Sequence, residues 1–160
     1  MDERTLQWLA GLLQEMDARV QNAEPLSLSY TLAAILWLPY SRALGRENTR
    51  RNGKSFDSTR LARDIVNLQN RSTYISKVNK HQIFEIWRLQ RKMQQVKPGT
   101  QSIVGNPRFR AAVRLLEHRI KFDEVGRKAS LGWIKIRDNQ SVTRKRHKRR
   151  RYRPRPTVET

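Results

Sequence analysis

The 160-residue chain carries 34 Lys and Arg against 14 Asp and Glu, a formal net charge of +20, with 37% apolar residues and no cysteine. That length is one domain, or one domain with a tail, and the apolar content can build a modest core. The lack of cysteine excludes disulfides and thiolate metal sites and is compatible with a reducing, cytoplasmic setting. A charge this far beyond what solubility requires points to a polyanionic partner, nucleic acid ahead of an anionic membrane surface.

The first element, "DERTLQWLAGLLQEMDARVQ", spaces Leu6, Leu9, Leu13, Met16 and Val20 at intervals of three and four, which predicts a helix along that stripe. Asp2 and Glu3 suit its electropositive N-terminus and leave no basic region of the kind that opens a secretory signal. The most apolar run, "LSLSYTLAAILWLPY", covers only residues 26–40 and contains Ser27, Ser29 and Thr31. A bilayer span needs about 20 apolar residues, so the run reads as a buried helix and no membrane partner is expected. This second helix follows Pro25, carries Trp37 near its end and meets Pro39 as a kink or stop. Residues 45–56, "GRENTRRNGKSF", lack an apolar period and read as a loop.

The segment "DSTRLARDIVNLQN" predicts a helix capped by Asp57 or Ser58 with Leu61, Ile65 and Leu68 inward. "NKHQIFEIWRLQRKM" places Ile83, Ile86, Trp87 and Met93 on one broad side before "KPGT" at 97–100 breaks the chain. In "GNPRFRAAVRLLEHRIK", Asn106 is a natural cap and Pro107 suits the first helical position. At helical phase Phe109, Ala112, Val113, Leu116 and Ile120 form an apolar arc, with Arg110, Arg114, His118 and Lys121 in a row centred about 120° away. The arc is expected to pack and the row to face solvent, either as an ordinary charged surface or as a secondary phosphate-binding face of Arg110, Arg114 and Lys121. A last element holds Val125, Leu131, Trp133, Ile134 and Ile136, but Gly126 and Gly132 weigh against helix, and "GWIKIR" reads equally as helix or short strand.

The strongest compositional signal is "RKRHKRRRYRPRP", where nine of the twelve residues from Arg144 to Arg155 are Lys or Arg. Like charges repel, and nothing apolar offsets the entropy of ordering, so residues 141–160 are expected to form a disordered basic tail behind an all-α, compact multi-helix body at 1–140. Arg144, Lys145, Arg146, Lys148, Arg149, Arg150, Arg151, Arg153 and Arg155 are the first candidates for phosphate binding, since guanidinium forks onto phosphate oxygens. Tyr152, between Arg151 and Arg153, is a candidate for stacking on an unpaired base. No zinc finger, recognition helix or aromatic sheet motif supports sequence-specific readout.

Catalytic and metal sites find little support, and none is expected. His81, His118 and His147 are dispersed, without the i, i+4 partner or cysteine neighbours a metal site uses, and no "GxxxxGK" or "GxGxxG" loop occurs. Glu15 and Asp17 lie two apart, which on a helix separates them by about 200°, so they read as solvated charges rather than joint metal ligands.

The motifs "EIWRLQRKM" and "NPRFRAAVRLLEHR" together resemble the C-terminal region of bacterial poly(A) polymerases, arginine-rich relatives of the tRNA CCA-adding nucleotidyltransferases, in which a pattern like "IW-LQ-RM" precedes one like "HPKFRAAYDLL-LR". The upstream "LAAILWLPY" resembles the apolar helix opening that region, so the likeness runs in order from residue 5 to 140. Asn106 stands where the family often has histidine, and Arg114 where it often has an acid. The resemblance implies an RNA-binding, non-catalytic body that holds single-stranded 3′ regions while a nucleotidyltransferase head adds adenylates. ATP and Mg²⁺ are expected only for that head, whose Gly-Ser turn and paired carboxylates have no counterpart here; no Gly-Ser dipeptide occurs in the chain. Two other readings remain open, a stand-alone basic structural or ribosome-associated RNA-binding protein and a DNA-binding protein.

Overall fold

The computed structural model describes residues 2–122 and 125–151, with side chains through Ser141. Among the described residues there are eight helices and no strand: α1 Glu3–Gln21, α2 Leu28–Ile35, α3 Trp37–Arg50, α4 Ser58–Asn70, α5 Lys77–Gln95, α6 Gln101–Val104, α7 Phe109–Lys121 and α8 Arg127–Arg151. The all-α body expected from the apolar periods is therefore the fold. The boundary expected at residue 140 falls inside α8, whose backbone runs to Arg151; the side chains of residues 142–151 and all of 152–160 lie outside the described residues.

Side-chain caps account for the starts of several helices. Asp2 accepts from the Thr5 amide at 2.8 Å to cap α1, Asp57 accepts from the Thr59 and Arg60 amides to cap α4, and Ser76 accepts from the Asn79 amide to cap α5. Pro39 does not stop the second helix. Leu36 ends α2 and flanks α3 at once, and Pro39 sits in the first turn of α3, where a missing N–H breaks no intrahelical bond.

The expected loop at 45–56 begins only after Arg50. Residues 45–50 need no apolar stripe because they form an exposed helix end on which Glu47 pairs with Arg50 and Arg51 at i, i+3 and i, i+4. Asn52 and Gly53, at φ +48 and +76, then turn the chain into α4 through the left-handed region.

Contacts set the order of packing. Glu85–Asn106 and Gln90–Ala112 advance together, so α5 and α7 run parallel, while Glu117–Arg137 and Arg110–Ser141 set α8 antiparallel to α7. Trp8 donates to the Ala34 carbonyl and Tyr30 to Glu15, which sets α1 antiparallel to α2. One core cluster joins α1 to α5 and includes Leu115 of α7; a second joins Leu89, Met93, Ile103, Phe109, Val113 and Trp133. The tryptophans act as rivets: Trp8, Trp87 and Trp133 are buried and donate to carbonyls of Ala34, Ala33 and Met93 on neighbouring helices.

Two inward assignments and one helix start change. In α1 the buried residues are Trp8, Leu12 and Met16, while Leu6, Leu13 and Val20 are 54%, 58% and 61% exposed. The i, i+4 spacing of Trp8, Leu12 and Met16 competes with the leucine stripe, and the volume of Trp8 wins the core position. In α4, Ala62 and Val66 are buried and Leu68 is exposed, with Leu61 and Ile65 at the margin. In α7 the helix begins at Phe109 rather than Pro107, because the Asn106 side chain accepts from the Arg108 amide and holds Asn106–Arg108 as a turn.

The segment "GWIKIR" is helical, within α8. Gly132 serves close approach there: a Cβ at that position would lie 2.6 Å from Pro98 Cγ. Gly132→Ala, worth about 1 kcal/mol in favour of an isolated helix, is expected instead to destabilise the fold by roughly 1–3 kcal/mol as the ring is forced off α8. Urea denaturation would show this as a lower midpoint; an unchanged or raised midpoint would mean that α8 and the 97–100 turn separate without cost.

Candidate nucleic-acid interface

Helix α7 is the hub on which the candidate surface must be built, and both of its faces are covered. The apolar arc is buried as expected at Phe109, Ala112, Val113 and Leu116. The basic row is not a solvent face along its length. His118 is fully buried beneath α1, its ring edge-on to Trp8 at 4.3 Å. The Trp8 carbonyl, 3.2 Å from His118 Nε2, can only accept, so Nε2 is the donor, and Nδ1 stands 3.5 Å from Glu15 Oε2.

Arg110 and Arg114 are half-buried, and Lys121 is exposed. The Arg110 guanidinium donates to Ser141 Oγ at 2.8 Å, which fastens α7 to α8. Arg114 lies over the Tyr30 ring, 5.2 Å from its centroid. Burial first, and then the charge of Arg19, push the Arg114 guanidinium below its ordinary value, with Tyr30 and Glu15 opposing and Arg137 adding to the repulsion. Arg19 and Arg137 thus approach Arg114 from α1 and α8, a juxtaposition that no local spacing could have indicated. Their own charges are engaged by Glu24 at 3.0 Å and by a two-pronged contact to Glu117.

Glu15 is also more than a solvated helix charge, although Asp17 is exposed as expected. Burial raises the Glu15 carboxyl, but the neighbouring His118 ring, the charge of Lys121 and the Tyr30 hydroxyl outweigh it and hold the group below its usual value of 4.5. A depressed carboxylate stabilises the fold above its unfolded value and loses that contribution as pH falls through the folded one. Glu15→Gln is therefore expected to flatten the loss of thermal stability below pH 4.5, read as melting temperature against pH. A variant as acid-sensitive as the parent would show that the Glu15–His118 contact carries no linkage.

Arg119, which the sequence did not single out, is 94% buried at 6% exposure, with its guanidinium 4.3 Å from the Trp37 ring centroid and donating to Gln90 Oε1 at 2.9 Å. Gln90 in turn donates to the Ala112 carbonyl, so a polar strut crosses the core between α5 and α7. A basic residue in this region can thus be structural, and exposure has to be read residue by residue.

Of the expected binding residues, the structure brings Arg110 to the α7–α8 seam and Arg114 against Tyr30 of α2, and leaves Lys121 at the surface. Arg144, Lys145, Arg146, Lys148, Arg149, Arg150 and Arg151 lie on the helical backbone of α8, with side chains outside the described residues; Tyr152, Arg153 and Arg155 lie outside altogether. Among the described residues no group of three His, Cys, Asp or Glu stands close enough to hold a metal ion, and no helix is long and apolar enough to cross a membrane.

Residues 54–157, which carry the "IWRLQRKM" segment of α5, the "FRAAVRLL" segment of α7 packed alongside it and the basic run, match the family model of the polymerase A arginine-rich C-terminus. The chain belongs to the polymerase A arginine-rich C-terminal family. The matched region begins in the turn before α4 and runs through the whole of α8, so the α7 hub, its Gln90–Arg119 strut and the basic run all fall within the family segment. Helices α1 to α3 precede it and pack against it through Trp8, Tyr40 and Trp37. No curated protein matches the chain.

Proposed function

We propose that this polymerase A C-terminal region is an RNA-holding body. It retains single-stranded 3′ regions by charge while a nucleotidyltransferase head outside these 160 residues adds adenylates from ATP with Mg²⁺. The observation that supports this best is the arginine-rich run itself: it lies inside the family match and carries nine cations in twelve residues. Phosphate is the ligand such density suits, because each neutralised phosphate releases condensed counterions. Arg144, Lys145, Arg146, Lys148, Arg149, Arg150, Arg151, Tyr152, Arg153 and Arg155 are the principal contacts, with Arg110, Arg114 and Lys121 forming a secondary surface. The half-burial of Arg110 and Arg114 gives these two a second task, since reversing their charge would also disturb the packing of α7.

The test is a competition between a labelled single-stranded RNA and unlabelled competitors, followed by fluorescence anisotropy. Single-stranded RNA is expected to displace the probe better than duplex DNA of equal phosphate content, with affinity falling steeply as salt rises. Duplex DNA winning that competition would favour a DNA-binding protein. Binding confined to one folded RNA, indifferent to a free 3′ end, would favour a structural, ribosome-associated role.

A further inference from the structure

The parallel arrangement of α5 and α7 places both of their N-termini at one end of the molecule, and a groove of about 540 Å³ opens there between the first two turns of α5 and the Asn106–Arg108 turn. Lys77, His81 and Arg108 line it, and Lys77 and Arg108 make no ion pair among the described residues. The carboxylate nearby, Glu85, is already committed: it accepts from Asn106 Nδ2 at 3.2 Å and pairs with Arg88 at 2.9 Å. The Asn106 amide is thus clamped on one side by Glu85 while its oxygen accepts the Arg108 amide at 2.8 Å, so the turn that presents Arg108 is fixed. Lys77 and Arg108 thus share the groove with one carboxylate, Glu85, that Arg88 and Asn106 already engage, on a framework that also directs two helix N-termini to the same end.

Two exposed apolar side chains accompany these cations. Val78, which lines the groove, is 64% exposed, and Tyr74, three residues before Lys77 and so within about 10 Å of it along the chain, is 83% exposed. Tyr74 is not on a loose segment. The next residue, Ile75, is buried and its amide donates to Asn70 Oδ1 at 2.8 Å, and Ser76 then caps α5. An exposed ring on a pinned backbone, three residues before a lysine that lines the groove, has the chemistry of a stacking platform, because every base offers a π-face to an aromatic while its phosphate seeks a guanidinium or ammonium.

We infer that the groove at the N-terminal ends of α5 and α7 is a nucleotide subsite for single-stranded RNA, in which Tyr74 stacks a base and Lys77 and Arg108 hold the adjoining phosphate. This rests on the RNA-binding reading above and adds a site remote in sequence from the basic run. It gives the strand a second point of attachment, with Val78 as the apolar floor.

Tyrosine-to-tryptophan replacement supplies a direct probe, since Trp8, Trp37, Trp87 and Trp133, the four tryptophans of the chain, are all buried. Full-length Tyr74→Trp, titrated with hexa-adenylate carrying a fluorescent label at its 5′ end, is expected to show saturable quenching of its exposed tryptophan at the same midpoint as the rise in anisotropy. An abasic ribose-phosphate hexamer is expected to bind without that quenching. Lys77→Ala with Arg108→Ala in the same background is expected to move the quenching midpoint to higher RNA concentration, and Tyr74→Ala to weaken hexa-adenylate binding at least about fivefold, the low end of a stacking contact. RNA bound by anisotropy without quenching, or equal quenching by the abasic hexamer, overturns the subsite while leaving the RNA reading intact. No RNA binding at all overturns both. Circular dichroism identical to the parent excludes misfolding as the cause of any loss.

Discussion

Removal of residues 144–160 is expected to abolish most of the salt-dependent affinity for single-stranded RNA while leaving the melting temperature within about 1 °C of the parent. Single strands contribute about 0.7 to the slope of log affinity against log salt for each phosphate neutralised, so nine cations fully engaged account for a slope of about 6. The same count implies that the deficit of the truncated chain is largest at low salt and shrinks as salt rises. The fold should be indifferent because, among the described residues, the contacts that pin α8, Trp133 to Met93, Arg137 to Glu117 and Ser141 to Arg110, lie before the cut. This makes truncation a cleaner experiment than reversing Arg110 and Arg114, whose half-buried side chains join binding to folding. The measurement is anisotropy at four or five salt concentrations, paired with thermal melts. An unchanged slope would remove the basic run from the binding mechanism whatever happened to the affinity at one salt.

The largest effect on stability is expected at Trp87. Its ring is 1% exposed and stacks on Tyr40 at 4.2 Å with an interplanar angle of 8°, and its Nε1 donates to the Ala33 carbonyl at 3.0 Å. One side chain therefore ties α5 to both α2 and α3. Trp87→Ala should cost about 3–5 kcal/mol through lost burial and the cavity left behind. A loss of that size is a large share of the roughly 5–15 kcal/mol that stabilises a domain. Trp87→Phe, which keeps most of the volume and loses the donor, should cost about 1–3 kcal/mol. Urea unfolding is the check: the midpoint should fall in that order with little change in slope. A Trp87→Ala loss below about 1 kcal/mol would mean that the α2–α3–α5 junction repacks around the hole.

The difference between these two experiments reflects what kinds of information reside at each level. The helical class, the Asp57 cap, the buried side of α5 at Ile83, Ile86, Trp87 and Met93, and the family motifs were legible because each depends on neighbours within about one or two helical turns. The exposed end of α3 was not, because ion pairs rather than an apolar period carry it. Gly132 weighs against a helix locally, but the contact with Pro98 that requires it is tertiary. Net charge and the basic run were equally plain, since composition alone supplies them.

Tertiary structure alone decided which cations meet solvent. Helical phase separates the two faces of α7 but cannot say what covers each one, and here α1 lies over His118, α8 over Arg110, and Tyr30 of α2 beneath Arg114. It likewise decided that Trp8, Leu12 and Met16 rather than the neighbouring leucine stripe turn inward, and that Arg119 serves the core. It also brought the ends of α5 and α7 together into the groove lined by Lys77 and Arg108. Sequence determines the angular relation of side chains on one helix; their burial is set by the helices that arrive from elsewhere in the chain.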